Sequence, residues 1–239
     1  MLYIKSEAYL SERGTYDINE DALFTVKEKL YLVCDGVGGN GNGLLASQLL
    51  CKTIAALIHK EPILNLSAIL EQAEKVFSNY KKRHRITQLM ASTIAFVQIN
   101  NGFVTIAWIG DTSVYQIRGG KIICKTVSHT LIQEAIQIGE LTELESYFQP
   151  NRNQLTRSVK GTKYPTEFES FICEDIQDND YFLLCSDGIQ ESWIDSDIED
   201  LFRSEKNSKE LIEKIKEQCA IFSTDNYSAI VIQLGIQHK

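Results

Sequence analysis

Residues 31–43 read YLVCDGVGGNGNG, in which an apolar run leads into Asp35 and a segment with five glycines. The run from Leu30 to Cys34 has the length and the residue types of a buried β-strand. Glycine adopts backbone conformations that are closed to other residues, so a peptide carbonyl can turn toward a ligand beside the carboxylate. The stretch therefore predicts a strand that ends at an oxygen-lined site.

Four further aspartates occupy similar positions, each beside a run of strand character. They are Asp21 in NEDALF, Asp111 in AWIGDTSVYQI, Asp187 in YFLLCSDGIQESW and Asp225 in TDNYSAIVIQL. A single Asp-Gly is most often a turn, and the glycine cluster lacks the lysine and the spacing of known phosphate loops. Functional residues concentrate on loops that a rigid scaffold positions, so the five together predict a metal site built of hard oxygen ligands.

Composition limits the architecture and the partners. The chain has 239 residues, 44% of them hydrophobic, and shows no linker or internal repeat, so we expect a single domain over residues 1–239. A net charge of -8 argues against a nucleic-acid partner, and the basic run at 81–85, KKRHR, is interpreted as the solvated end of a helix. Six cysteines without C-x-x-C spacing are interpreted as buried free thiols in a reducing compartment. With no candidate signal peptide or membrane span, the expectation is a cytoplasmic protein.

Periodicity predicts a mixture of helices and strands. Helices are expected over 43–60, 65–83 and 207–221, the last capped by Asn207 or Ser208. Strands are expected over 92–100, 102–108, 114–118 and 121–125, with hairpin signals at NNG (100–102) and RGG (118–120) that favour antiparallel neighbours. This pattern is typical of a layered α+β domain.

The order of several motifs along the chain supports a more specific interpretation. In sequence they are NEDA, DGVGGNGNGLLAS, ASTIAFVQINNGFVTIAWIGDTSVY, SHTLIQEAIQIGELT, NRNQLTRSVKG, LLCSDGIQES and TDNYSAIVI. From Glu12 to Leu234 the chain resembles the metal-dependent type 2C serine/threonine protein phosphatases (PPM family), in their compact bacterial form. That resemblance implies a four-layer α-β-β-α sandwich, with two stacked antiparallel sheets flanked by helices and the metals at one end.

The resemblance also implies roles for individual carboxylates. Asp35 would bridge two ions, the carbonyl of Gly36 would bind one of them, and Asp187 and Asp225 would complete the other. Asp111, with Asp187, would hold a third and weaker ion, while Glu20 and Asp21 would orient waters on the metals. The ions would be Mn²⁺ or Mg²⁺, because the ligands are oxygens and no His/Cys cluster has zinc spacing. The nucleophile would be a water between the two core ions, with no phosphoenzyme intermediate.

The chain departs from the family pattern in two ways. Family members carry a phosphate-gripping arginine five residues before the aspartate of the NED motif, where this chain has Tyr16. Arg13 is near but out of register, so either a shifted loop brings it to the substrate or the metals alone hold the phosphate. The family's histidines correspond here to Asn40 and Val37, so no general acid is assigned.

His129 lies near the start of the segment that corresponds to the family's flap, about 128–160, which is expected to influence which phosphoprotein fits. We expect a packing or capping role for His129 rather than catalysis, because Ser128 or Thr130 can cap the following helix.

Three functions are compatible with these patterns. The first is a Mn²⁺/Mg²⁺-dependent phosphatase of phosphoserine and phosphothreonine in proteins, a monomer that opposes a Ser/Thr kinase. The second is a phosphatase-fold binding module that has lost catalysis and recognises a protein partner. The third is a phosphatase of small phosphometabolites. Because every matched carboxylate is present, the sequence favours an enzyme over the binding module. The flap resembles that of protein-directed family members, which favours the first function over the third.

Overall fold

The structure is a computed structural model that describes residues 1–38, 41–60, 65–146, 148–150, 153–163, 165–204 and 207–237. Within these residues the strands are β1 (Leu2–Glu12), β2 (Ala22–Val26), β3 (Leu30–Cys34), β4 (Gly36–Val37), β5 (Ala91–Ser92), β6 (Ile94–Ile99), β7 (Val104–Ile109), β8 (Ser113–Arg118), β9 (Lys121–Lys125), β10 (Glu169–Cys173), β11 (Tyr181–Cys185) and β12 (Tyr227–Ile236). The helices are α1 (Asn42–Lys60), α2 (Leu66–His84), α3 (Leu131–Gln137), α4 (Glu143–Ser146), α5 (Asp187–Gln190), α6 (Asp195–Ser204) and α7 (Ser208–Phe222).

The strands form two antiparallel sheets of five and one short ribbon. One sheet has the order β1-β12-β11-β8-β9 and the other the order β10-β7-β6-β3-β2, while β4 pairs with β5 alone. Strand β1 pairs with β12 along most of its length, from Leu2 opposite Ile236 to Glu12 opposite Tyr227. Segments from near the two ends of the chain therefore share one sheet.

Three apolar layers hold the sheets and the helices together. Between the sheets, Tyr31 and Phe182 belong to a fully buried core. Helices α1 and α2 cover one outer face around Phe96, and α6 and α7 cover the other around Tyr115. This arrangement confirms the expected α-β-β-α sandwich.

Strand β3 shows why its sequence is apolar without alternation. Tyr31 and Val33 face the core between the sheets, whereas Leu32 and Cys34 face the layer under α1 and α2. A strand that is buried on both faces must be apolar at every position. The strand ends where Asp35 begins the loop, as its sequence predicts.

The three predicted helices are present, with boundaries shifted by one residue at most, and side-chain caps fix the starts of α2 and α7. Asn65 Oδ1 accepts the N–H of Ala68 at 3.0 Å at the start of α2. Asn207 Oδ1 accepts the N–H groups of Lys209 and Glu210, both at 3.0 Å, so Asn207 is the cap of α7. These caps satisfy N–H groups that have no partner within the helix.

The hairpin signals correctly predict the pairs β6–β7 and β8–β9. The expectation that all four strands are neighbours is wrong, because β7 and β8 lie in different sheets. Gly110, with a φ of 102°, breaks β7, and the chain crosses from one sheet to the other through Asp111. The predicted strand 92–100 is likewise interrupted, at Thr93. A turn signal indicates a change of direction but not the sheet in which the next strand pairs.

The connection from β9 to β10 carries α3 and α4 and forms the flap. Thr130 pairs with Leu155, and Ser92 with Val159, so the flap closes on itself and returns to the core beside β5. The cysteines are all free thiols, buried except for the half-buried Cys124. No helix within the described residues is long and apolar enough to span a membrane.

Candidate metal centre

The five aspartates predicted as a group lie at one end of the sandwich. Asp35 follows β3, Asp187 follows β11, and Asp111 lies in the crossing between β7 and β8. Asp21 directly precedes β2, and Asp225 lies just before β12. Their charges act on one another: Asp21, Asp187 and Asp111 all disfavour ionisation of Asp35. The strand ends therefore converge on one acidic site, as the sequence predicts.

Burial and mutual repulsion raise the pKa values of these carboxyl groups. Burial is the larger cause and raises the pKa of Asp21 to about 7, of Asp187 to about 6 and of Asp111 to about 8. The pKa of Asp35 is raised well above its usual range by burial and then by the neighbouring carboxylates, and its side chain is hydrogen-bonded to that of Asp187. Buried like charges cannot all ionise without a cation, so the group is suited to bind one.

Three buried carboxylate oxygens also lack hydrogen-bond partners among the described residues. They are Oδ1 of Asp21, Oδ1 of Asp111 and Oδ1 of Asp187. A buried acceptor without a partner is costly, and hard oxygen donors of this kind match Mn²⁺ and Mg²⁺. Within the described part of the chain, no three His, Cys, Asp or Glu side chains are already arranged to hold a metal ion. These oxygen donors thus fit a hard divalent cation, although the carboxylates must turn toward one another before they can bind the same ion.

Two hydroxyl residues that the sequence analysis did not select hold the backbone of Asp35. The carbonyl of Asp35 accepts the N–H of Thr93 and the Oγ–H of Ser92, each at 2.9 Å. The N–H of Asp35 donates to Thr93 Oγ1 at 3.2 Å, and Thr93 Oγ1 hydrogen-bonds Thr112 Oγ1 at 2.5 Å. Their signal in the sequence is a pair of hydroxyl residues that interrupts the apolar run ASTIAFV.

Gly36 is required by close packing of three backbone segments. A Cβ atom at this position would collide with the carbonyls of Gly43 and Glu20. Glu20 in turn accepts the N–H groups of Gly43 and Leu44, where α1 begins, and burial raises its pKa. A carboxylate at a helix N-terminus is stabilised by the free N–H groups and the helix dipole. Glu20 thus lies at the start of α1 and near Asp225, whose charge also raises the pKa of Glu20.

Asn226, also missed by the sequence analysis, joins the segments that carry Glu20, Arg13 and Asp225. Its Oδ1 accepts the N–H of Glu20 at 2.7 Å, and its Nδ2 donates to the carbonyls of Arg13 at 2.8 Å and Ile18 at 3.1 Å. The side chain is buried and its polar atoms are satisfied. An Asn beside an Asp at the start of a strand resembles an ordinary turn, so its role depends on contacts that are distant in sequence.

Arg13 and Tyr16 lie in an exposed turn beside Asp225. The N–H of Tyr16 donates to the carbonyl of Arg13 at 3.2 Å. Gly14, between them, has a φ of 57° and lies against the carbonyl of Asp225, where a Cβ atom would collide. Both side chains are exposed, Tyr16 to 56%. Of the two positions where the family has histidine, Val37 pairs with Ala91, and Asn40 lies outside the described residues.

A cleft of about 840 Å³ leads from Asp111 and Asp187 along the flap. Its lining includes Ile132 and Gln133 of α3 and Trp193. The cleft combines polar and apolar side chains, which suits a polypeptide better than a small, fully charged molecule.

His129 packs rather than facing the acidic site. Its Nδ1 accepts the N–H of Gly110 at 3.0 Å, and its ring stacks on Trp108 with centroids 6.0 Å apart. Burial, followed by the charge of Arg157, lowers its pKa. The next residue, Thr130, caps α3 by accepting the N–H of Gln133 at 3.3 Å. The expected packing role of His129 and the capping role of Thr130 are confirmed.

With this geometry established, comparison with known proteins assigns the chain to a family. A family model described as protein phosphatase 2C matches residues 11–230. The chain belongs to the protein phosphatase 2C family. All five aspartates of the acidic site lie inside the matched range.

Bacterial serine/threonine phosphatases are among the relatives of this phosphatase 2C chain. It is 24% identical to the serine/threonine phosphatase Stp of Listeria innocua over 92% of each chain. A crystal structure of the Mycobacterium tuberculosis serine/threonine phosphatase PstP is similar with a TM-score of 0.85 and 25% identity, covering 99% of both chains. A second PstP structure, of the catalytic domain in complex with two manganese ions, has a TM-score of 0.82 and 24% identity, covering 99% of this chain and 100% of that one.

Proposed function

We propose that this phosphatase 2C chain hydrolyses phosphoserine and phosphothreonine in proteins with the help of Mn²⁺ or Mg²⁺. The observation that carries the proposal is the acidic site at the mouth of the cleft, with its unpartnered buried oxygens. Phosphate monoesters hydrolyse slowly because their negative charge repels a nucleophile, and divalent cations neutralise that charge and acidify a water. An enzyme of this class therefore needs the concentration of carboxylates found here.

The core ligands would be Asp35 as the bridge, the carbonyl of Gly36, Asp187 and Asp225. The contact between the Asp35 and Asp187 side chains supports a shared ion, because both carboxylates already compete for one proton. The hydrogen bonds from Ser92 and Thr93 support a fixed position for Asp35. The close packing around Gly36 supports a carbonyl that is held in place.

Three further carboxylates would act around this core. Asp111, whose Oδ1 has no partner among the described residues, would hold a third ion with Asp187. Asp21 and Glu20 would orient bound waters. Ser186 Oγ donates to Asp21 Oδ2 at 2.8 Å, while Oδ1 of Asp21 has no partner among the described residues, which supports that role.

Arg13 and Tyr16 would contact the substrate, since their turn lies against the Asp225 loop. If the family's arginine position is vacant, the wild-type enzyme binds phosphorylated substrates weakly. Tyr16→Arg should then lower the KM for a phosphothreonine peptide by about tenfold to a hundredfold, the effect of one charge-assisted contact, while Arg13→Ala changes little. A large loss of binding in Arg13→Ala with no gain in Tyr16→Arg would mean that Arg13 already supplies the guanidinium.

The substrate would be a phosphorylated protein that a Ser/Thr kinase of the same cell produces. The cleft along the flap supports a polypeptide substrate because its walls are both polar and apolar. A single catalytic domain over 1–239 that works as a monomer is part of this proposal. The pairing of β1 with β12 supports the single domain, because the strands nearest both ends complete one sheet.

Hydrolysis of an aryl phosphate and of a phosphothreonine peptide, in Mn²⁺, in Mg²⁺ and in chelator, tests the proposal. We expect turnover of both substrates with either metal and none with chelator. Peptide binding without turnover in any metal would instead indicate the binding module. Turnover of small phosphometabolites with no hydrolysis of phosphopeptides would indicate the third function.

A further inference from the structure

Basic residues are concentrated in one part of an otherwise acidic chain. The net charge of the chain is -8, yet residues 75–110 contain no Asp or Glu and five Lys or Arg. Four of these five lie at the end of α2 and just beyond it: Lys81, Lys82, Arg83 and Arg85. We call these four, together with Lys160, the basic patch.

The structure brings Lys160 to the four residues from a distant segment. Lys81 Nζ donates to the carbonyl of Lys160 at 3.2 Å. Lys82, Arg83, Arg85 and Lys160 are exposed. None of these exposed side chains takes part in an ion pair with another described residue. Lys160 nevertheless lies near enough to the buried Glu74 to stabilise the charge of that carboxylate. The patch thus presents a positive surface to solvent.

The need for helix stability does not explain this arrangement. Cations in the last turn of a helix favour its dipole, but Lys81, Lys82 and Arg83 are consecutive and Arg85 follows closely, so these like charges also repel one another. Arg85 itself adopts the left-handed conformation with a φ of 53°, a position at which glycine is favoured. The chain therefore accepts repulsion and backbone strain to place cations here, and such a cost points to a function.

One short loop links the basic patch to the segment that follows Asp35. This loop runs from Ile86 to Leu89 and lies against the loop that follows Asp35. Asn42 Nδ2 donates to Gln88 Oε1 at 3.3 Å, and a Cβ atom at Gly38 would meet the carbonyl of Leu89 at 2.6 Å. Four residues span at most about 14 Å, so Arg85 lies within that distance of Leu89. An extended substrate seated at the metal centre can reach the patch.

We propose that the basic patch binds acidic side chains that flank the scissile phosphoresidue in the substrate protein. This inference rests on the proposed phosphatase function and adds a substrate preference to it. The occupant is a polypeptide segment rich in Asp and Glu, because its charge complements the patch and it is covalently continuous with the phosphoresidue. Exposed ion pairs of this kind raise the local concentration of substrate and so lower KM. They leave kcat unchanged, because the chemical step takes place at the metal centre.

Two phosphothreonine peptides test the proposal, one flanked by Asp and Glu and the other by Gln and Ser. Lys82→Gln/Arg83→Gln removes two exposed cations from the patch. Lys27→Gln/Lys29→Gln removes two exposed cations from the β2–β3 turn, at the opposite end of β3 from Asp35, and is the charge-matched control. Arg85→Gly is a third variant, which relieves strain and so keeps the fold.

We expect Lys82→Gln/Arg83→Gln to raise the KM for the acidic peptide about fivefold, as the loss of two exposed ion pairs would, and Arg85→Gly to raise it less, both with kcat unchanged. The KM for the neutral peptide and the hydrolysis of aryl phosphate should stay at wild-type values, and the effect should shrink at high salt. Equal changes for both peptides, or the same change in the control variant, would overturn the proposal.

A binding measurement separates the failure of this proposal from the failure of the proposed function. Fluorescence anisotropy of the unphosphorylated acidic peptide requires no catalysis. Weaker binding of this peptide by the patch variants than by the control variant supports the basic patch, whether or not phosphopeptides are hydrolysed. A lack of phosphopeptide hydrolysis would contradict only the phosphatase function. Equal binding by all variants overturns the patch whatever the phosphatase activity.

Discussion

Asp180 and the aspartates of the acidic site are buried in the same protein in two different ways. The Asp180 carboxylate is fully buried and accepts hydrogen bonds from Arg118 Nε at 2.8 Å, Arg118 Nη2 at 2.9 Å, Gln116 Nε2 at 3.0 Å and the N–H of Gln177 at 3.0 Å. In the acidic site, Asp21, Asp111 and Asp187 each retain a buried oxygen without a partner among the described residues. The chain supplies the countercharge of Asp180 itself, whereas no described residue provides a partner for these three oxygens of the acidic site.

This difference separates a structural carboxylate from a binding one. A buried charge with a full set of donors holds elements together, here β8 and the turn before β11. Its removal leaves Arg118 with only the exposed Asp175 as an ion-pair partner among the described residues. Buried carboxylates that repel one another weaken the fold until a cation arrives. Substitutions in the two regions should therefore have opposite effects on stability and on activity.

Asp35→Asn should produce the largest loss of activity, because we assign this side chain to both core ions. We expect hydrolysis of a phosphothreonine peptide in saturating Mn²⁺ to fall by more than about 100-fold, the upper limit for groups that only orient a metal ligand. The circular dichroism spectrum should stay that of the wild type. Near-normal turnover in this variant would show that the two-metal assignment is wrong.

Asp180→Asn should produce the largest loss of stability. Breaking a buried ion pair from one side costs about 3–5 kcal/mol of unfolding free energy. Asp187→Asn, measured in chelator, should leave that free energy unchanged or raise it, because it removes repulsion from Asp225. Urea unfolding of both variants and the wild type, in chelator, is the measurement. Destabilisation of similar size in the two variants would contradict the distinction between the two regions.

The stability of the metal-free protein should fall as pH rises. Carboxyl groups with raised pKa values, such as Asp21 at about 7 and Asp111 at about 8, hold protons in the folded state that the unfolded chain releases near pH 4. Their contribution is fully present below pH 4 and is lost as pH passes through the folded-state pKa values. In chelator, the Tm should be higher at pH 6.5 than at pH 8, and Mn²⁺ should raise it more at pH 8. Asp111→Asn should make the Tm in chelator fall less steeply with pH. A Tm that rises with pH in chelator would contradict this prediction.

Asp111→Ala should have the smallest effect of the four. If Asp111 serves a third and outer ion, the variant keeps two tightly bound metals and its turnover of phosphopeptides falls by about tenfold, as for a group that orients the reacting water. Calorimetric counting of bound Mn²⁺, run beside the kinetics, is the measurement. Loss of both tight sites would place Asp111 in the core instead.

Several features of the fold follow from local patterns in the chain. The apolar run of β3, the helices α1, α2 and α7 and the two hairpins are all predicted within short windows, because side-chain periodicity and capping depend on neighbouring residues. The aspartates were identified as a group because each follows or precedes a recognisable strand. The resemblance to type 2C phosphatases then supplied the layer order, which periodicity alone does not contain.

Other features depend on contacts between segments far apart in the sequence. The crossing at Asp111 places β7 and β8 in separate sheets, and Ser92 and Thr93 hold Asp35 from a segment more than fifty residues away. Asn226 joins loops near the two ends of the chain. No short window contains the partner of such a contact, so its hydrogen bonds cannot be inferred from composition or spacing.

The residue types of this protein thus specify its strands, its helices and the acidic character of its site, because those properties belong to individual positions and their neighbours. The assembly of sheets and loops determines which carboxylates find partners. Asp180 and Asp187 both adjoin β11, one before it and one after it, and both are buried near other charged groups. One meets the guanidinium of Arg118 and the other meets further carboxylates, because opposite ends of the same strand pack against different parts of the chain.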